Sequence, residues 1–242
     1  MTNRTSAEGA KPASAIFIGN SFFYYNNGVN THLAQLIAAA SPARPWRSTL
    51  VGISGAGLDW HDVESYFRPG AIGSFSFDAN NDIVFNKLAR LFDVAVLMDG
   101  SQSPIHPALA HASRDYFRQH CATVRRHGAE PVLFMTWAYA DRPDMTAPLA
   151  EAYRRAGADN DARVIPAGLA FAHATSARPD MDLWHADKRH PSLAGTYLSA
   201  CLTYAVLFES SPVGLAYDAG LGAQTATFLQ QVAQDSLSGY QR

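Results

Sequence analysis

The chain has 242 residues, 48% of them hydrophobic and 17% charged, which is enough apolar material for the core of one sizeable domain. Nineteen Lys+Arg against 21 Asp+Glu leave a formal net charge of -2 with no run of either sign, which argues against a nucleic-acid-binding or polybasic membrane surface. No stretch approaches the roughly 18 apolar residues of a membrane span, and residues 1–14 (MTNRTSAEGAKPAS) lack the apolar centre of a signal peptide. As written the chain reads as cytoplasmic, although one whose leader had been removed would read the same.

Residues 15–19 (AIFIG) are the first apolar run and predict a buried strand, followed by an amphipathic helix over 28–40. A second strand is predicted over 49–54. Residues 58–92 are irregular: LDWHDVESYF predicts a short helix, and PGAIGSFSFDANNDIVF opens a hairpin-like insertion assigned to 69–92. Strands over 93–98, 131–137 and 162–166 alternate with amphipathic stretches over 110–127, 145–158, 168–174 and 192–209, the last being strong. The tail beyond Ser210 predicts one more helix packed on the same domain. Because the apolar runs show no polar alternation, they suit a parallel sheet covered on both faces. The repeated β-α order therefore predicts an α/β three-layer αβα sandwich with a five-stranded parallel sheet. One domain spans 1–242, with 1–14 expected to be flexible. Cys121 and Cys201 both fall inside predicted helices, which favours free buried thiols over a disulfide.

Open α/β sheets place their chemistry at the carboxyl ends of strands. The first strand ends in Gly19-Asn20-Ser21, so a hydroxyl is presented between a buried strand and a helix. Glycine followed by small polar residues is also ordinary turn chemistry. Far along the chain, Asp187-Lys188-Arg189-His190-Pro191-Ser192 precedes the last strong helix. An Asp three residues before a His can orient the imidazole and stabilise its protonated form, leaving the other ring nitrogen free to take a proton from a serine.

In order and position these two blocks resemble the SGNH (GDSL-like) hydrolases, whose blocks are named for Ser, Gly, Asn and His. The resemblance runs from Ile16 to about Pro212. IFIGNSFFYYNNG together with DKRHPSLAGTYLSACLTYAVLFESSP is similar to a branch in which G-N-S-F stands for G-D-S-L. It implies a flavodoxin-like fold with Ser21 as nucleophile, His190 as general base and Asp187 as its partner. The implied oxyanion hole comprises the backbone N–H of Ser21, that of Gly55 with Gly57 as the alternative, and a side-chain donor at Gln102. Gln102 takes the family's Asn position if Gly100 matches the block's glycine. The other alignment leaves Gly100 there and no side-chain donor. Gly55 is equally suited to a tight turn. Asn20 replaces the usual Asp and can brace the loops.

The implied chemistry needs neither a metal nor a cofactor. His61 and His185 could join His190 around a metal, but no H-x-x-x-H or C-x-x-C spacing supports that. Trp60, His61, Trp137, Tyr139 and Trp184 lie near strand ends or the Asp187–His190 loop and either line a pocket or fill the core. At least one of Phe22, Phe23, Tyr24 and Tyr25 is expected to border the site. Lys188 and Arg189 either attract an anionic substrate or belong to a solvated loop. The function expected is a serine esterase acting on a small-molecule or carbohydrate ester. A short acyl group is favoured, an O-acetylated carbohydrate among the candidates, because no long apolar lid is present. An acyltransferase or thioesterase of the same type is the alternative, and a non-catalytic flavodoxin-like binding module is the rival from another class.

Overall fold

The computed structural model describes residues 11–240 apart from 69, 86, 87 and 89. Its first strand, β1 (Ser14–Gly19), is buried along its whole length. Ala15 and Phe17 point to one side of the sheet and Ile16 and Ile18 to the other, so each face of the strand joins a separate apolar core. After β1 come α1 (Ser21–Tyr24), α2 (Val29–Ala40), β2 (Arg47–Gly52) and α3 (Val63–Tyr66). A hairpin, β3 (Phe75–Phe77) and β4 (Ile83–Phe85), precedes β5 (Val94–Leu97), α4 (Ala110–Arg126) and β6 (Glu130–Phe134). The chain closes with α5 (Thr146–Asp159), β7 (Arg163–Ile165), α6 (Ala167–Ala177), α7 (Leu193–Phe208) and α8 (Ala223–Tyr240).

As the sequence predicts, five parallel strands form one sheet, in the order β2-β1-β5-β6-β7. Helices α2, α6, α7 and α8 cover one face, and α3, α4 and α5 the other. The chain leaves β1 toward β2 and then crosses to the far side through β5. The loops after β1 and β5 therefore diverge and open a crevice at their carboxyl ends, where this topology puts ligands.

Strand limits differ from the apolar runs for local reasons. The second run is predicted to 54, but β2 stops at Gly52, because Ile53 N–H already bonds Gly19 O and Ala56 N–H bonds Ile53 O to close a turn. The fourth run is predicted to Trp137, but β6 stops at Phe134. Met135 N–H makes one further bond, to Ile165 O, and Pro166 has no N–H with which to continue the pairing.

Residues 192–209 do not form an amphipathic helix: 15 of the 16 residues of α7 are buried. The helix lies beneath α2, α6 and α8, so its second face meets protein rather than water. Cys121 on α4 and Cys201 on α7 are free and buried. Ala13 and Ser14 N–H bond the Asp93 carboxylate at 2.8 and 3.0 Å, which fixes the start of β1, while residues 1–10 of the segment expected to be flexible lie outside the described residues. The hairpin is rooted by the Arg47 guanidinium, which bonds the carbonyls of Gly73 and Leu91. Phe77 and Phe85 on it are 60% and 68% exposed. Among the described residues no helix is long and apolar enough to cross a membrane.

Candidate active site

Ser21 opens α1 directly after β1, and Asn20 caps that turn by accepting Phe22 N–H on Oδ1 at 3.1 Å. The loop before α7 is folded on itself. Trp184 and Pro191 form an antiparallel bridge, His185 N–H bonds His190 O at 2.7 Å, and Lys188 adopts φ 63°. Asp187 Oδ1 accepts the backbone N–H groups of Arg189 and His190 at 2.9 and 3.0 Å. Ser192 then caps α7 by accepting Gly195 N–H on its hydroxyl.

This folding brings together side chains 169 residues apart: His190 Nε2 lies 2.8 Å from Ser21 Oγ. On the ring's other side, Nδ1 lies 2.5 Å from Asp187 Oδ2. An ionised carboxylate only accepts, so the proton sits on Nδ1 and the Nε2 lone pair faces the Ser21 hydroxyl. Burial raises the Asp187 carboxyl, but hydrogen bonds from the His190 ring and from the Arg189 and His190 N–H groups outweigh it and bring it to about 2.

Four outside contacts hold the loop. Ala140 N–H bonds Lys188 O at 3.0 Å, and Trp137 Nε1 donates to Arg189 O at 3.0 Å. Asn26 Nδ2 donates to Pro191 O at 2.7 Å, and the Arg189 guanidinium pairs with Asp141 while lying 4.0 Å over the Tyr139 ring.

Asn20 reaches across the crevice as well, donating from Nδ2 to Ala56 O at 2.9 Å and to Asp99 O at 3.3 Å. It therefore joins the loops after β1, β2 and β5. Asp99 is a second knot that the sequence did not reveal. Its Oδ1 accepts Leu58 and Gly100 N–H at 2.8 Å each, and its Oδ2 accepts the Ser113 hydroxyl at 2.6 Å. Burial raises this carboxyl against those three hydrogen bonds. Gly100, which one alignment sets at the Asn-block position, thus has its N–H committed to Asp99. A Cβ on Gly57, the alternative to Gly55, would sit 2.6 Å from Asp59 Oδ1 and 3.0 Å from Asp99 Oδ1, so its place is a close-packing one.

Gly55 is the third residue of the turn from Ile53 to Ala56, with φ +74°, the left-handed conformation such a turn requires. The Gln102 amide donates to Met145 Sδ at 3.7 Å. Of the five aromatics weighed as pocket or core, Trp137 is wholly buried, stacked between Phe22 at 4.6 Å and Phe171 at 4.3 Å. Trp184 donates to Ala138 O and Tyr139 hydroxyl meets Ser101, so both brace loops. His61 is buried, with Nε2 at Gly19 O and Nδ1 at the Tyr66 hydroxyl, and burial lowers its pKa. Trp60 is 62% exposed. Tyr25 stacks on His190 and its edge meets His185.

The whole fold is close to that of several solved structures. A DUF4886 family protein from Bacteroides uniformis aligns over 93% of this chain and 94% of its own, with a TM-score of 0.68 and 17% identity. The chain has the SGNH hydrolase fold. A protein from Slackia heliotrinireducens assigned to the SGNH hydrolases is 25% identical, covering 77% of this chain and 94% of that one, with a TM-score of 0.56. An acetylxylan esterase from Geobacillus stearothermophilus is 14% identical, covering 79% and 93%, with a TM-score of 0.54. No family model and no curated protein matches the sequence.

Proposed function

We propose that this SGNH-fold chain is a serine esterase with Ser21 as nucleophile, His190 as general base and Asp187 as the group that orients the imidazole. The observation that carries the reading is the continuous Asp187–His190–Ser21 chain of 2.5 and 2.8 Å contacts at the carboxyl end of β1. His190 Nε2 takes the Ser21 proton as Oγ attacks the ester carbonyl, and the Asp187 carboxylate stabilises the imidazolium. The ring returns that proton to the departing alkoxide. Water then attacks the acyl-enzyme by the same route in reverse, releasing the acid and free Ser21. The oxyanion is assigned to the N–H groups of Ser21 and Gly55. Gln102 is the side-chain donor, since its present acceptor is a thioether, a weak one that the amide leaves at little cost.

The substrate is assigned as a short-chain acyl ester, an O-acetylated carbohydrate in particular. The stacked column of Phe22, Trp137 and Phe171 fills the interior next to the nucleophile, which favours a small acyl group. Exposed Trp60 offers a sugar-stacking face on the loop after Gly57, and an acetylxylan esterase shares the fold. A panel of p-nitrophenyl esters of rising chain length, run beside acetylated xylo-oligosaccharides, tests both parts. Rates should fall with chain length, and Ser21→Ala should abolish both turnover and fluorophosphonate labelling. Full activity in Ser21→Ala would refute the assignment. Acyl transfer to an added sugar in preference to water would make the enzyme an acyltransferase.

A further inference from the structure

The block after Ser21 continues as FFYYNNG, which nucleophile chemistry alone does not require. Residues Tyr25–Asn27 form a single tight turn in which Asn26 and Asn27 both adopt left-handed backbone, φ 52° and 71°, before Gly28 at φ 85°. Asn enters that region more readily than other non-glycine residues, and two in succession are further fixed by their surroundings. Here the holding groups are specific. Asn26 O accepts from His32 Nε2 at 2.8 Å, which fixes the His32 tautomer so that Nδ1 accepts the Tyr217 hydroxyl, also at 2.8 Å. Burial lowers the pKa of His32, in keeping with a neutral ring.

What the turn holds is the other half of the site. Asn26 Nδ2 donates to Pro191 O at 2.7 Å and to Thr196 Oγ1 at 2.9 Å, on the residue after His190 and in the first turn of α7. Tyr25 lies flat on the His190 imidazole, with centroids 4.0 Å apart and planes 8° from parallel. Phe22 meets the same ring edge-on at 5.5 Å.

We propose that Tyr25 and Asn26 are positioning residues for the esterase: Asn26 fixes the His190 loop at hydrogen-bonding distance from Ser21, and the Tyr25 ring face stabilises the imidazolium that forms during attack. The proposal rests on the triad reading above. The other charged or titratable groups around His190 are Asp187 and Ser21 in direct contact, His185 edge-on to Tyr25, and Lys188 and Arg189 on the same loop with Arg189 paired to Asp141. Of these only His185 touches Tyr25 itself, so following the His185 titration beside that of His190 separates the stack from that edge contact.

The test uses Tyr25→Leu, which keeps bulk and removes the π face, beside Tyr25→Phe, which keeps both. A cation against an aromatic face is favoured severalfold, so in Tyr25→Leu the His190 titration followed by NMR should move down by about half a pH unit. The acidic limb of kcat/KM should move with it, and kcat should fall about threefold to tenfold with KM little changed. Tyr25→Phe should stay within about twofold of wild type. In the unsubstituted protein, upfield-shifted ring protons of His190 read the stack directly. Asn26→Gly keeps the left-handed backbone but deletes the amide, and should slow fluorophosphonate labelling of Ser21 about tenfold. A Tyr25→Leu titration that matches wild type or moves up overturns the stabilising role, and unchanged labelling in Asn26→Gly overturns the positioning role. Loss of the triad reading would appear separately, as activity retained in Ser21→Ala, and the NMR titration needs no substrate.

Discussion

Asn20 Nδ2 donates to Asp99 O across 3.3 Å, so the residue beside Ser21 is bonded to the main chain of the loop after β5. Its second bond, to Ala56 O at 2.9 Å, is also to a carbonyl. An Asp at this position, the residue the resembled motif more commonly carries, would set a carboxylate against two carbonyl oxygens. Asn20→Asp is therefore expected to cost about 1–3 kcal/mol of stability at neutral pH. Urea unfolding of the variant beside wild type measures this, and equal midpoints would contradict it.

Asp99 is expected to respond in the opposite sense. Its folded-state pKa is raised, first by burial, so its contribution to stability is present below the ordinary value of 3.8 and is lost as pH rises through the folded value. Asn in its place keeps the acceptor for Leu58 and Gly100 N–H and can donate to Ser113. Asp99→Asn should thus gain on wild type in unfolding midpoint as pH rises above 3.8, while Asp99→Ala, which releases both loops, should lose about tenfold or more in kcat. A gap between Asn variant and wild type that stays constant with pH would argue against the buried charge.

For Asp187 the sign reverses again. Its folded-state pKa is depressed to about 2, so its contribution is present above 3.8 and is lost as pH falls through about 2. Any loss of activity between pH 4 and pH 6 should then not be that of this carboxylate. Asp187→Asn should lower kcat about 10²- to 10⁴-fold near neutrality, because the imidazole loses its orienting acceptor. Loss under tenfold would remove Asp187 from the triad.

Three buried histidines, His32, His61 and His120, have pKa values lowered from 6.5, burial being the largest cause for each. All are held as neutral donors or acceptors, so the unfolded chain binds protons more readily. Stability should be complete above 6.5 and decline as pH falls below it, before most carboxylates titrate. Thermal midpoints measured from pH 7.5 to 5 should show that decline, and a flat profile would contradict it.

The oxyanion assignment is open to a direct comparison. Removing one such donor costs about 10²- to 10³-fold in kcat, and Gln102→Ala is expected at the lower end of that range. Gly55→Ala has open space for its Cβ but must keep φ +74°, so it should cost about 1 kcal/mol in stability as well as rate. A Gln102→Ala enzyme with wild-type kcat would leave the backbone donors to act alone.

The fold was legible because five short apolar runs without polar alternation suit the strands of a covered sheet, and two separated blocks fell at its ends. The contacts of Tyr25, Asn26 and Asp99 were not. Asn26 meets Pro191 from 165 residues away, a proximity created by packing α7 against α2 and not by any local spacing. Asp99 lies just past the strand predicted over 93–98, and burial of its carboxylate shows only once its three donors are in place. The buried second face of α7 was hidden for the same reason, since the helix that covers it follows later in the chain.

The hairpin of β3 and β4 has a practical consequence. Phe77, Ile83 and Phe85 present a greasy surface to water beside β2, rooted near the start of that strand, whereas Ser21 and His190 gather beyond the opposite ends. Detergent micelles, plastic walls and hydrophobic resins will adhere to this tab first, so replacing Phe77 and Phe85 with threonine offers better-behaved material without touching the residues that would turn over an ester.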